Sequence, residues 1–130
     1  MIKFISMIIL IIIIMVEIDN HEKIRQKLKL GGIYAPKNKK VEKLLKLFWT
    51  EEEAEILAQF NSCDQATGLK ELSKRTGKSR KELKDLLRTP LYKKTISRIG
   101  TKYYLLPLLP GIFEQYFINR RDSEKNLKAV

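Results

Sequence analysis

The sequence predicts a mainly α-helical chain with one small β-hairpin. Three observations carry this. Apolar residues recur at helical spacing through residues 38–60 and again through 69–87. Two N-terminal capping signatures, Thr50 with Glu53 and Ser79 with Glu82, open helices inside those stretches. Beyond Pro90 the period falls to two, with Gly100 between two alternating segments. A short helix, a glycine turn, a capped second helix and a hairpin, in that order, are the parts of a winged helix-turn-helix. Here it has extra N-terminal helices and a C-terminal helix. The organisation read from composition is a hydrophobic leader (1–16), a basic helical segment (17–48), a winged-helix domain (49–119) and a short tail (120–130).

The leader contains thirteen uncharged residues, Phe4 to Val16, most of them isoleucine. A membrane-crossing helix needs about 20 apolar residues, so the run is short. Val16-Glu17-Ile18-Asp19 lacks the small residues of a signal-peptide cleavage site. Two readings stay open. In one, residues 4–16 are a membrane anchor, with Lys23, Arg25, Lys27 and Lys29 holding the body on the cytoplasmic side. In the other, translation starts at Met15 and the protein is cytoplasmic and unattached.

Residues 20–30 place Ile24 and Leu28 one turn apart, and Gly31-Gly32 is the expected helix stop. Residues 38–48 set Val41, Leu44, Leu45 and Phe48 on one face, with lysines outside. Thr50 and Glu53 then cap a helix running to about Phe60, whose acidic first turn suits the helix dipole. Ala54, Leu57, Ala58 and Phe60 form its buried stripe.

Residues 67–88 hold the helix-turn-helix. Leu69 and Leu72 mark the first helix, Thr76-Gly77-Lys78 the turn, and Leu83, Leu86 and Leu87 the inner face of the second. On its outer face lie Lys81, Lys84, Asp85 and Arg88, with Lys78, Ser79 and Arg80 at its start. In DNA-binding helix-turn-helix proteins that start meets base edges, and flanking cations meet phosphates. The plain alternative is a solvated charged face. Asp85 opposes phosphate, and no Asn or Gln is present there to pair adenine, so base readout is expected to be weak. In the hairpin, Lys93, Lys94, Arg98 and Lys102 are the expected wing contacts, sequence-independent and salt-sensitive.

Charge supports the same expectation. The net charge is +11. Residues 49–68 carry five acidic and no basic side chains, whereas residues 69–104 carry twelve basic and three acidic. Such a local excess suits phosphate backbones or anionic lipid, or serves solubility alone. One cysteine, Cys63, and one histidine, His21, exclude a disulfide framework and a closed zinc site. Cys63 beside Asp64 reads as structural, and His21, in a polar stretch, as a solvated surface residue. No catalytic constellation or phosphate-cradling glycine loop is evident, so no enzyme activity and no cofactor are expected.

The order of three motifs carries a resemblance. They are Gly32-Ile33-Tyr34-Ala35-Pro36, Thr50-Glu51-Glu52-Glu53-Ala54-Glu55, and Leu105-Leu106-Pro107-Leu108-Leu109-Pro110-Gly111-Ile112-Phe113-Glu114. Together they resemble the N-terminal region of 4Fe-4S ferredoxin-type proteins of archaea and anaerobic bacteria, over about residues 20–126. In that family a cluster-binding domain follows the last motif. Its C-x-x-C cysteines have no counterpart here, so no cluster ligand carries over. The resemblance implies a fragment, a split gene or a stand-alone winged helix. It also implies an alternative function: an accessory module docking a separately encoded iron–sulfur protein through Ile112, Phe113, Tyr116 and Phe117. The leading expectation is a small DNA-binding transcriptional regulator, with a homodimer open.

Overall fold

The computed structural model describes residues 2–16, 19–30 and 32–129, with the side chains of residues 2, 11–16, 109, 110, 113, 114 and 117 outside the description. The leader forms helix α1 (Ile2–Val16). Its described large apolar side chains are exposed, from Ile8 at 42% to Phe4 at 67%. No helix among the described residues is long and apolar enough to cross a membrane.

Helix α2 (Asn20–Lys27) ends earlier than Gly31-Gly32 would place it. Leu28 is its C-cap and is fully buried, and the chain turns at once into a small antiparallel hairpin, β1 (Lys29–Leu30) with β2 (Ile33–Tyr34). Gly31 lies outside the described residues. Helix α3 (Lys39–Phe48) is capped by Asn38, whose Oδ1 accepts from Val41 N at 2.8 Å. Helix α4 (Glu51–Leu57) carries the full capping box: Thr50 Oγ1 accepts from Glu53 N at 3.2 Å, and Glu53 Oε1 accepts from Thr50 N at 2.9 Å. Lys27 reaches the far end of α4, where its Nζ donates to the carbonyls of Ala58 and, at 2.7 Å, Phe60. That satisfies carbonyls a helix end leaves open.

The second half opens on the two-residue strand β3 (Thr67–Gly68), which leads into α5 (Leu69–Thr76) and α6 (Arg80–Tyr92). Gly77 between the helices has φ +73, the left-handed region glycine favours. Ser73 Oγ donates to the Lys78 carbonyl at 2.7 Å, and Thr76 Oγ1 accepts from Lys78 N at 3.2 Å, so both sides of the turn are tied. Helix α6 passes through Pro90 rather than stopping there. The Pro90 carbonyl, one of those the helix end leaves open, accepts from Thr95 N at 3.1 Å and Thr95 Oγ1 at 3.0 Å.

Strands β4 (Ile96–Ile99) and β5 (Lys102–Leu105) form the hairpin. Gly100 has φ +64 and Thr101 does not share the positive φ, the pattern of a II′ turn. Strand β5 is central, in the order β3-β5-β4, pairing Thr67 with Tyr103 and Ile96 with Leu105. After the hairpin come a π-helical turn (Leu108–Ile112), α7 (Phe113–Asn119) and α8 (Glu124–Ala129).

One core joins these elements. It takes Leu45 and Phe48 from α3, Ala54, Ile56 and Leu57 from α4, Leu72, Leu83 and Leu87 from α5 and α6, and Tyr103 and Leu105 from β5. Trp49 is 1% exposed and donates from Nε1 to Thr95 Oγ1 at 2.9 Å. Its ring stands edge-on to Phe48, which also packs on Tyr116 at 4.7 Å between centroids. His21 belongs to this interior too. It is 2% exposed, which corrects its reading as a solvated residue, because its Nε2 bonds the Trp49 carbonyl at 2.8 Å.

Candidate nucleic-acid interface

The outward face of α6 is set by its leucines. Leu83 and Leu87 are fully buried, which turns Arg80, Lys81, Lys84 and Arg88 to solvent. Ser79 fixes the helix start: its Oγ accepts from Glu82 N at 3.2 Å, and its hydroxyl meets Glu82 Oε1 at 3.3 Å. Across from α6 runs β4. A groove between the two is lined by Lys84, Arg88, Leu91, Arg98 and Tyr103. Arg98 also borders a second concavity with Lys94, Ser97 and Gln115. Helix and hairpin thus bring Lys84, Arg88 and Arg98 around one depression, while Lys102 is exposed at the start of β5.

Not all ten expected contacts reach this surface. Lys93 is 6% exposed and points inward. Its Nζ donates to the carbonyls of Phe48 at 2.7 Å and Leu47 at 3.3 Å, and pairs with Asp122 Oδ2 at 3.1 Å. Those carbonyls belong to the last turn of α3, where a cation is favoured. Lys93 is therefore an internal cap rather than a wing contact. Lys78 and Lys94 are half-buried, and Lys94 adopts φ +63 where the chain reverses from α6 into β4. Asp85 does not stand alone on the outer face: Arg88 bonds its Oδ1 at 3.1 Å, which offsets its charge and engages part of the guanidinium.

The residues expected to dock a partner fall differently. Ile112 and Tyr116 are fully buried, filling this chain's own core instead of offering a surface. The side chains of Phe113 and Phe117 lie outside the described residues. The apolar spacing that suggested one docking face is thus used, at two of its four positions, for packing the π-helical turn and α7 into the core.

Cys63 is half-buried, with Sγ 3.4 Å from the Lys27 carbonyl oxygen. Burial pushes its thiol up to about 11, so at neutral pH it stays protonated and is a poor nucleophile. Strand β3 and the inward turn of Lys93 escaped sequence reasoning. Two residues show no period, and nothing local distinguishes Lys93 from Lys94.

Compared with family models, with curated proteins and with solved structures, the chain matches none of them.

Proposed function

We infer that this chain is a winged-helix protein that binds duplex DNA, chiefly through the phosphate backbone. The observation that carries the reading is the shared groove of Lys84 and Arg88 from α6 with Arg98 from β4. Exposed Arg80, Lys81 and Lys102 extend the positive surface around it. The strand order, with a strand before the first helix pairing to the second hairpin strand, supports the winged-helix reading. Arginine and lysine at a helix start can read guanine, but the absence of Asn or Gln on the outer face limits readout of adenine. Binding is therefore mostly independent of sequence.

The test is fluorescence anisotropy of a labelled duplex across a salt series. Each phosphate contact adds about 0.9 to the slope of log affinity against log salt. The combined change Lys84→Ala, Arg88→Ala and Arg98→Ala should flatten that slope by about 2–3 and weaken binding at every sequence. Lys39→Ala with Lys43→Ala, both exposed on α3, should change it little. Equal affinity and slope in the groove variant would remove the reading.

A further inference from the structure

A second cluster of chemistry-bearing side chains lies where two helices begin, and none of its residues lines the basic groove. Asp19 caps α2, His21 stands in its first turn and Glu51 is the first residue of α4. Their ligand atoms lie within 4.8 Å of one another. The histidine decides what this means. Its Nε2 is 2.8 Å from the Trp49 carbonyl oxygen, which only accepts, so Nε2 carries a hydrogen and donates it. A neutral ring then presents a bare lone pair at Nδ1. That atom faces Asp19 Oδ1 at 3.4 Å and Glu51 Oε1 at 3.6 Å. Among the described residues no other side chain reaches Nδ1. Three acceptors so placed converge on a point where a cation, either a second ring proton or a metal ion, would join them.

The geometry suits a metal. Ligand distances of about 2.0–2.2 Å place the corners of a tetrahedron roughly 3.4 Å apart, close to the two separations from Nδ1, with the two carboxylate oxygens within 4.8 Å of each other. A ring N–H held by a backbone carbonyl is the outer partner that metal-bound imidazoles usually keep. His21 is buried, whereas the side chains of Asp19 and Glu51 are 42% and 73% exposed, so an ion has a path from solvent. Asp19 Oδ1 also accepts from His21 N at 3.2 Å, and Lys46 lies 3.8 Å from the other oxygen, Oδ2. The positive ends of α2 and α4 oppose a cation, and two carboxylates supply the compensating charge. One nitrogen with two oxygens favours the zinc class over calcium or magnesium, which take six or more oxygens or keep their water.

We propose that Asp19, His21 and Glu51 bind one divalent transition-metal ion of the zinc class, with water in the remaining position. The ion would clip the start of α2 to the start of α4. It is an open three-ligand site, distinct from the closed zinc site that one cysteine and one histidine exclude.

The full chain, stripped with chelator, is titrated with zinc chloride by calorimetry and with cobalt chloride by visible absorption. One ion per chain should bind saturably, with the intense bands of four-coordinate cobalt and a metal-dependent rise in Tm. Glu51→Gln, at an exposed helix start, should keep the fold and weaken binding by about tenfold or more. Cys63→Ser should bind as the parent does. Three outcomes overturn the proposal: no saturable binding, leaving a ring proton as the only cation; undiminished binding in Glu51→Gln; or loss of binding in Cys63→Ser.

Discussion

At position 93 the chain turns from helix to strand, and the lysine there points inward. Its Nζ joins the end of α3 to Asp122, whose Oδ2 also accepts from the Tyr116 hydroxyl at 2.6 Å. Breaking a buried pair leaves one charge without its partner, so Lys93→Ala should cost about 3 kcal/mol in urea denaturation. The exposed Lys81→Ala should stay within about 0.5 kcal/mol. Burial by itself would push the Asp122 carboxyl up. Bonds from Tyr116, the Ser123 N–H and Lys93 outweigh it and hold the group below its ordinary value of 3.8. As pH falls the unfolded chain therefore takes up this proton first. The contribution is whole above about pH 4 and fades below it, and Asp122→Asn should flatten that acid-side loss. Lys93 and Lys94 are indistinguishable in sequence, because what separates them is a pair of carbonyls at positions 47 and 48. His21 was missed for the same reason: its partner is the Trp49 carbonyl, 28 residues away.

Among the elements, those with a full turn of periodic apolar residues or a side-chain cap were legible. Helices α3, α4, α5 and α6 begin within a residue or two of where Asn38, Thr50, Leu69 and Ser79 place them. Ends were harder. Helix α6 runs two residues past Pro90, and its last turn is closed by Thr95 bonding the proline carbonyl, a contact made by a later segment. Helix α2 stops at Lys27 because Leu28 and the β1–β2 hairpin claim the residues a helix would have used. The turn between α5 and α6 offers a clean measurement. A Cβ built on Gly77 would meet nothing within 4 Å, so only its φ of +73 resists substitution. Gly77→Ala should cost about 1 kcal/mol in urea denaturation, and Gly77→Asn less, since Asn tolerates this region. A Gly77→Ala change without loss of stability would mean the turn relaxes to another conformation.

For the whole molecule, charge and exposed apolar surface pull in different directions. The excess of +11 keeps copies apart and draws anions, whereas the described side chains of α1 form an uncovered apolar surface. None of them belongs to the core. A chain beginning at Met15 should therefore keep its Tm within about 2 °C. It should also stay monodisperse in sedimentation at concentrations where the longer chain self-associates or takes up detergent. A large fall in Tm would mean that α1 contributes packing. The general location of the basic surface was visible in the counts of residues 69–104. Which cations share a groove was not, since Arg98 meets Lys84 and Arg88 only after the hairpin folds back along α6.

The inward lysine has a consequence beyond stability. Lys94, the next residue, carries the reversal that sends β4 back along α6, and two residues after it the strand begins. Helix and strand are the two jaws of the basic groove, and Lys93 bolts their hinge to the end of α3 and to the C-terminal segment. Neither Lys93 nor Asp122 is among the residues that line the groove. Loosening Asp122 is therefore expected to shift the jaws while leaving every charge in the groove's lining unchanged.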